Sequence, residues 1–183
     1  MDSHRISGRI LAENIAGPGM LRLVEQSMQA RIRKASVAEI AVKERKHPQA
    51  ALTFDDGPDI RYTPLLLDGL KERNVRVSFF LLGEKVEQYP ELVERMQKEG
   101  HLVGNHTYHH VQLNKLNETK AREEILKTNN LIYETTGVYP LYLRPPFGAW
   151  KKNLELCVEM LPVFWTIDTL DWKVQNTEKI VHT

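Results

Sequence analysis

Residues 50–58 read AALTFDDGP, an apolar run that ends in two aspartates, a glycine and a proline. The run predicts a short buried strand, with Asp55 and Asp56 at its carboxyl end. In a regular strand these side chains would face opposite ways, but Gly57 permits a bend that turns both toward one site. The two carboxylates repel each other, and a bound metal ion would relieve this if one bound the ion and the other stayed free as a base. The alternative is a turn followed by a helix cap, because Asp, Gly and Pro are common turn residues.

From this strand onward, the sequence alternates between predicted strands and predicted helices. Strands are predicted at residues 50–54, 75–81, 101–104, 141–143 and 163–167, and helices at residues 63–73, 90–99, 118–135 and 154–160. Thr63 is expected to cap the first helix, with Pro64 in its first turn. The alternation is typical of an α/β fold with a parallel sheet. Polar clusters follow four of the strands, so we expect them to share one rim of the sheet.

The second polar cluster, GNHTYHH at residues 104–110, contains three histidines. His106 and His110 are four residues apart, so in a helical turn both rings would lie on one face. That spacing suits two ligands of one tetrahedral zinc ion, while His109 would be exposed or would lie behind the ligands. An aspartate with these two histidines would leave a fourth position open for water or substrate, as in catalytic zinc sites. Surface histidines are the alternative, because an H-x-x-x-H pattern is only moderately specific.

Two further polar clusters follow later strands, RPPFGAW at residues 144–150 and DTLDW at residues 168–172. Arg144 can form a bidentate pair with a carboxylate. The N–H of Phe147, next to two prolines that have none, could face a developing oxyanion. Asp168 could orient Arg144 or a histidine, and Trp172 could wall a sugar-sized pocket. The alternatives are a solvent-facing arginine in a proline-rich loop, and a helix-capping aspartate beside a packed tryptophan.

Length, charge and cysteine content exclude several classes of protein. The chain has 183 residues, and at roughly 100–200 residues per domain this predicts one domain, or one domain with an extension. A net charge of +1 gives no field that would favour nucleic acid or an anionic membrane. The single cysteine, Cys157, excludes a disulfide framework and a multi-cysteine zinc site, and we expect it in the core. No apolar run reaches membrane-spanning length, and no secretory leader is visible.

In their order along the chain, the motifs TFDDGP, HTYHH, RPPFG and DTLDW resemble those of the polysaccharide deacetylases of carbohydrate esterase family 4, the NodB homology family. The resemblance runs from about residue 50 to the end of the chain. It implies a distorted (β/α) barrel of about seven strands. It also implies metal-dependent removal of N-acetyl, or sometimes O-acetyl, groups from a polysaccharide, with zinc as the expected metal and cobalt as the alternative. We therefore expect residues 48–183 to form the deacetylase domain, and residues 1–47 to be a basic, partly helical extension.

The resemblance also assigns roles to individual residues. The implied metal ligands are Asp56, His106 and His110. The implied catalytic residues are Asp55 as general base, Arg144 as the residue that holds Asp55, Phe147 as an oxyanion donor through its N–H, and Asp168 as the acid that tunes a later catalytic histidine. The implied substrate contacts are Pro146, Asp171 and Trp172.

The sequence departs from the family pattern at its end. The family has a further strand with a Leu-x-His motif, whose histidine acts as general acid, and only eleven residues follow Trp172 here. Thr177 is expected to cap a new helix, so His182 would fall inside that helix and is not the missing acid. We therefore expect the domain to be incomplete at its C-terminus, with an unclosed sheet edge.

Two alternative functions remain open from the sequence. The chain could be a non-catalytic metal- or glycan-binding domain that lacks the general acid, or a different metal-dependent amidase or esterase on a barrel. Peptidoglycan is the expected substrate by overall likeness to bacterial members of the family, with chitin-like N-acetylglucosamine polymers and acetylated xylan as alternatives. The family implies an extracellular or cell-surface location.

Overall fold

The computed structural model of the protein describes residues 50–150, 158–174 and 176–182. The predicted extension at residues 1–47, Cys157 and most of the predicted helix at residues 154–160 lie outside the described residues. The described part of that helix, residues 158–160, is not helical. Within the described ranges, no helix is both long enough and apolar enough to cross a membrane.

Five parallel strands form one sheet, in which neighbours along the chain are also neighbours in space. The strands are β1 (Thr53–Gly57), β2 (Ser78–Leu81), β3 (Leu102–Asn105), β4 (Tyr142–Leu143) and β5 (Leu161–Pro162). A (β/α) barrel is built in this order, because each right-handed connection returns along the same face of the sheet. The predicted α/β class is confirmed. The five described strands form an open sheet and not a closed barrel of about seven strands.

Helices connect these strands and flank the sheet. They are α1 (Tyr62–Glu72), α2 (Gly83–Gln88), α3 (Pro90–Lys98), α4 (Glu118–Thr136), α5 (Asp171–Val174) and α6 (Thr177–Val181), with 3₁₀ turns at Leu113–Lys115 and Pro146–Gly148. The longest helix, α4, follows Asn117, whose side chain accepts the N–H of Lys120. It ends at Gly137, where φ is 70°. The helix thus ends within one residue of the predicted range 118–135, at a glycine, which adopts the left-handed conformation without a Cβ clash.

The predicted cap of α1 is wrong. Asp59 Oδ1 accepts the N–H groups of Arg61 and Tyr62, at 2.8 and 3.0 Å. Thr63 lies inside the helix, and its hydroxyl accepts the N–H of Asp59 at 2.9 Å. The helix therefore begins one residue before Thr63, because the aspartate is placed to satisfy the exposed N–H groups of the first turn.

Other predicted boundaries also differ from the structure, and the first strand runs over Thr53–Gly57 and not over residues 50–54. Asn176, and not Thr177, caps α6 by accepting the N–H of Lys179. The predicted strand at residues 75–81 begins only at Ser78. The predicted strand at residues 163–167 is wrong, because β5 pairs with β4 only at Leu161–Pro162 and the apolar residues that follow continue without a ladder.

The two faces of the sheet have different partners. Phe54, Phe79, Leu81 and Val103 alternate onto the helix side, where they pack with buried side chains that include Leu67, Val93, Met96 and Ile132. The opposite face carries Thr53, Asp55, Phe80 and Gly104, and its polar groups meet Arg144. The helix side is therefore the main hydrophobic core, and the opposite face is where polar side chains gather.

Gly83 lets α2 approach the loop that follows β3. Its N–H donates to the carbonyl of Thr107 at 3.0 Å. A methyl group at this position would lie 2.5 Å from the hydroxyl of Thr128 and closer still to the ring of Tyr108. The close approach therefore requires a residue with no side chain.

We expect Gly83→Ala to lower the free energy of unfolding by about 1–3 kcal/mol, because the buried methyl group has no space. Urea denaturation would measure the change. Gly69→Ala is the matched control, since the new methyl group in α1 would meet only the flexible end of Arg73 at 3.4 Å. That control should gain up to about 1 kcal/mol from helix propensity. Equal losses in both variants would contradict the close-approach explanation.

Candidate metal centre

Near its carboxyl end, β1 has a bulge at the second of two consecutive carboxylates. Pairing with β2 is regular up to Asp55 and resumes at Gly57, so Asp56 is the extra residue. Asp56 has a φ of 63°, whereas Gly57 is not among the residues with positive φ. The expected bend is therefore present but lies at Asp56, a residue type that tolerates this conformation better than most. Lys85 of α2 donates to the Asp56 carbonyl at 2.7 Å and holds the bulge.

The histidine loop, residues 106–110, follows β3. It is not helical, since Thr107 and His110 have φ values of 68° and 55°. The predicted helical turn is therefore wrong, but the predicted proximity is right, because the centroids of the His106 and His110 rings lie 5.1 Å apart. Left-handed conformations of non-glycine residues cost of order 1–3 kcal/mol each, so this loop must be held by its surroundings.

Asp56, His106 and His110 direct three ligand atoms to one point. Asp56 Oδ1 lies 3.4 Å from His106 Nε2 and 3.4 Å from His110 Nε2. All three ligand atoms lie within 4.8 Å of one another. Two ligands of a tetrahedral zinc ion, each at about 2.0–2.1 Å, lie about 3.3 Å apart, so these donors fit a single small cation.

The tautomer of His106 follows from its partner. Its Nδ1 lies 2.6 Å from the carbonyl oxygen of Arg144. A carbonyl can only accept, so Nδ1 carries the proton and Nε2 presents its lone pair toward Asp56. Fixing the ring of a metal-binding histidine through its other nitrogen is the usual arrangement around bound metal ions.

Electrostatics favours the protonation states that a cation requires. The neighbouring His106 ring, whose Nε2 lies 3.4 Å from Oδ1, is the largest cause that lowers the pKa of Asp56, and His110 and Lys85 lower it further against the effect of burial. Burial is the largest cause that lowers the pKa of His110. The aspartate is therefore ionised and His110 is neutral at neutral pH, and both are forms that bind metal.

Arg144 joins the site to the rest of the sheet. Its Nη1 donates to Thr53 Oγ1 and to Asp55 Oδ1, each at 2.7 Å, and its Nη2 lies 3.4 Å from the carbonyl of Phe164. The predicted pairing of Arg144 with Asp55 is present, but a single N–H group makes it and not a bidentate fork. The guanidinium carbon lies 4.1 Å above the ring of Phe80. The side chain is 3% exposed, and its Nη1 holds the carboxylate of Asp55, the residue before the ligand Asp56.

Two residues of the RPPFG segment, Phe147 and Pro146, differ in their exposure near the site. The ring of Phe147 lies 4.5 Å from that of His110, and the residue has a φ of 59° and is 63% exposed. Phe147 is thus at the rim of the metal centre, while the role of its N–H stays a prediction. Pro146 is buried in the 3₁₀ turn, and its substrate contact stays a prediction.

The fourth polar cluster does not join the other three. Asp168 Oδ1 accepts the N–H of Leu170 at 2.9 Å, and Asp171 Oδ1 accepts the hydroxyl of Thr169 at 3.1 Å. Trp172 is 70% exposed. In the part of the chain that the structure describes, no hydrogen bond or ion pair links these side chains to Arg144 or to a histidine. Their assigned roles therefore stay predictions.

Sequence reasoning missed two residues that support the site. Thr53 shares a face with Asp55 by simple alternation along β1, so the period-2 pattern could have identified it. Lys85 lies on α2, a helix that the sequence did not predict, and its bond to a backbone carbonyl leaves no sequence signal. His109 matches its prediction, because its ring is 58% exposed and its Nδ1 lies 2.7 Å from Glu124.

The parallel sheet and the three converging side chains define an α/β domain with a candidate metal centre at the carboxyl ends of its strands. The polysaccharide deacetylase family model matches residues 42–163, and the chain belongs to this family. A peptidoglycan-N-acetylglucosamine deacetylase of Bacillus cereus is 44% identical over 137 residues, which cover 73% of this chain and 50% of that enzyme.

Two further relatives show the same likeness. Peptidoglycan-N-acetylglucosamine deacetylase PgdA of Listeria monocytogenes is 42% identical over 134 residues, which cover 73% of this chain and 29% of that protein. The structure of peptidoglycan deacetylase PdaC from Bacillus subtilis is 40% identical, with a TM-score of 0.69 and coverage of 72% of this chain and 65% of that one. The chain thus spans half or less of the length of the Bacillus cereus enzyme and of PgdA.

We expect Arg144→Met to lower the free energy of unfolding by about 2 kcal/mol, because it keeps the packing on Phe80 but removes charged hydrogen bonds to Thr53 and Asp55. Chemical denaturation would measure the loss. Arg73→Met is the control, since Arg73 is 69% exposed and bonds only its own helix and Glu72. That change should stay within about 0.5 kcal/mol. A change of less than about 0.5 kcal/mol in Arg144→Met would show that the hydrogen bonds of Arg144 do not stabilise the carboxyl end of the sheet.

Proposed function

We propose that this chain carries the metal centre of a deacetylase that hydrolyses N-acetyl groups on peptidoglycan N-acetylglucosamine and releases acetate. One observation carries the proposal: Asp56, His106 and His110 converge, while the neighbouring Asp55 is not one of the three converging groups and is held by Arg144. An ion-binding carboxylate and a separate basic carboxylate are what metal-assisted amide hydrolysis requires.

Zinc is the proposed metal, with cobalt as the alternative. One carboxylate and two imidazoles are a typical donor set for zinc in hydrolytic enzymes. The ion would be held by Asp56 Oδ1, His106 Nε2 and His110 Nε2. When bound there, it supplies Lewis acidity toward a water molecule and toward the acetyl carbonyl.

The residues around the ligands would each have a separate role in the hydrolysis. Asp55 Oδ1 is occupied by Arg144, which leaves Oδ2 to take a proton from the attacking water. Arg144 fixes that carboxylate in place and so removes the entropy of orienting it. Phe147 at the rim would direct its N–H to the developing oxyanion. Asp168 would act through a histidine, as the family resemblance implies, and not through Arg144.

Peptidoglycan is the proposed substrate because the relatives are named for it. Those of Bacillus cereus and Listeria monocytogenes are peptidoglycan-N-acetylglucosamine deacetylases. A chitooligosaccharide deacetylase of Rhizobium leguminosarum is 37% identical, so chitin-like oligomers are the comparison substrate. Action on peptidoglycan would place the protein outside the cell membrane, and Asp171 and Trp172 are proposed as its contacts with the polysaccharide.

Acetate release from peptidoglycan and from chitooligosaccharides, measured on zinc-loaded protein, is the experiment that tests this function. Turnover that is greater on peptidoglycan supports the proposal. Stoichiometric zinc without any turnover would instead support the non-catalytic binding domain that lacks a general acid. Release from chitooligosaccharides alone would overturn the substrate assignment.

We expect His106→Ala to abolish stoichiometric zinc binding, because it removes one of three protein ligands. Metal content after dialysis would measure this. His109→Ala is the matched control, since its ring faces Glu124 and not Asp56, and it should keep its zinc. A His106→Ala protein with full zinc content would refute the ligand assignment.

We expect Asp55→Asn to lower the rate of acetate release by about 100-fold or more, because an amide cannot accept the proton. Zinc affinity should stay close to that of the wild type, since Asp55 is not a ligand. Asp59→Asn is the control, because Asp59 serves the first turn of α1. Loss of zinc together with activity in Asp55→Asn would show that Asp55 is itself a ligand.

A further inference from the structure

The histidine loop is held from behind by one carboxylate on α4. Glu124 Oε2 accepts the backbone N–H of Tyr108 at 3.0 Å and that of His109 at 2.9 Å. Its other oxygen, Oε1, lies 2.7 Å from His109 Nδ1. The side chain is 16% exposed, so these contacts are partly shielded from water. One side chain therefore satisfies three polar groups that lie between the two histidine ligands.

α4 is a rigid support for this carboxylate. The amide of Asn105, the last residue of β3, donates to the carbonyl of Ile125 at 2.9 Å and to the side chain of Asn129 at 2.7 Å. Ile125 itself is fully buried. The residue before His106 and the residue after Glu124 are thus joined directly, and the spacing between β3 and Glu124 is fixed.

The loop requires such support because its backbone is strained. Thr107 and His110 both adopt left-handed φ values, which persist only where neighbouring groups determine them. Asn105 Oδ1 accepts the N–H of Thr107 at 2.7 Å, and the Gly83 N–H binds the Thr107 carbonyl. Those bonds fix the first half of the loop, whereas Glu124 fixes the two residues directly before His110.

We propose that Glu124 is a positioning residue for the metal centre: its hydrogen bonds to the backbone of the histidine loop place His110 against Asp56 and His106. The inference rests on the metal centre of the proposed function, but not on the substrate or on turnover. Groups that orient metal ligands through hydrogen bonds typically contribute about 10–100-fold to metal affinity. Glu124 would act by lowering the cost of organising the site before the ion enters.

The test is zinc affinity of the metal-free full chain, titrated against a chromophoric chelator, with the visible spectrum of the Co²⁺ form as a second readout. Glu124→Ala should raise the zinc Kd about 10-fold or more and alter the Co²⁺ spectrum. Glu123→Ala is the matched control, because it removes the same charge from the neighbouring, exposed position of α4. It should stay within about 2-fold, since charge at this distance is largely screened.

Two conservative variants separate hydrogen bonding from charge and from folding. Glu124→Gln keeps an oxygen that can accept both backbone N–H groups, so its Kd should stay within about 3-fold of the wild type. Glu124→Asp keeps the charge but withdraws the carboxylate by one methylene, so its Kd should rise like that of Glu124→Ala. If Glu124→Ala does not fold, the comparison of the Gln and Asp variants still tests the proposal, with thermal unfolding confirming that each metal-free variant is folded.

Three outcomes would overturn the inference. Unchanged zinc affinity in Glu124→Ala or Glu124→Asp would limit Glu124 to general stability. Equal losses in Glu123→Ala and Glu124→Ala would assign the effect to net charge, and a full loss in Glu124→Gln would exclude the hydrogen-bonding explanation. Wild-type protein that binds no zinc would overturn the metal centre itself, whereas wild-type zinc binding without acetate release would leave this inference standing and remove only the proposed activity.

Discussion

The bulge at Asp56 is the constraint on which the rest of the site depends. Without it, the two consecutive carboxylates would face opposite sides of the sheet. With one extra residue in β1, Asp55 stays on the polar face and meets Arg144, while Asp56 turns toward the histidines. A single left-handed residue therefore separates a carboxylate that can bind an ion from one that can take a proton. Lys85 holds the carbonyl of that residue, which ties the bulge to α2.

Arg144 makes the position of Asp55 a property of the whole sheet. Its side chain contacts Thr53 and Asp55 from β1, Phe80 from β2 and the carbonyl that follows β5, and its own carbonyl fixes His106 after β3. Groups in or just after β1, β2 and β5 thus meet at one buried guanidinium, and the backbone carbonyl of the same residue, just after β4, reaches the histidine that follows β3. A buried charge is costly unless it is paired, so the strand ends must stay together for Arg144 to keep these partners.

Backbone strain is concentrated at the same place. Six non-glycine residues in the described ranges have positive φ, and four of them lie at the site: Asp56, Thr107, His110 and Phe147. Such conformations persist where surrounding contacts determine them. For Asp56 and the histidine loop, such contacts come from Lys85 and the Gly83 amide of α2 and from Glu124 of α4. The helices thus do more than cover the sheet, because they hold the loop conformations that bring the ligands together.

Local sequence was enough to predict the α/β class, the approximate strands and the residues that carry the chemistry. Strand periodicity and the four-residue spacing of His106 and His110 are local features, whereas the choice of Asp56 as the third ligand came from the family resemblance. The aromatic run at residues 163–167 misled the strand prediction, because a strand also requires a partner for its backbone.

Tertiary structure decided how those residues are presented. The bend lies at Asp56 and not at Gly57, the histidines meet through a strained loop and not a helical turn, Asp168 bonds within its own segment and Trp172 is exposed. The first two of these depend on contacts between residues far apart in the chain, such as the pairing of β1 with β2 or the reach of α4 to the histidine loop. A local pattern contains no information on those contacts, so the sequence determined which groups are available and the packing determined which of them meet.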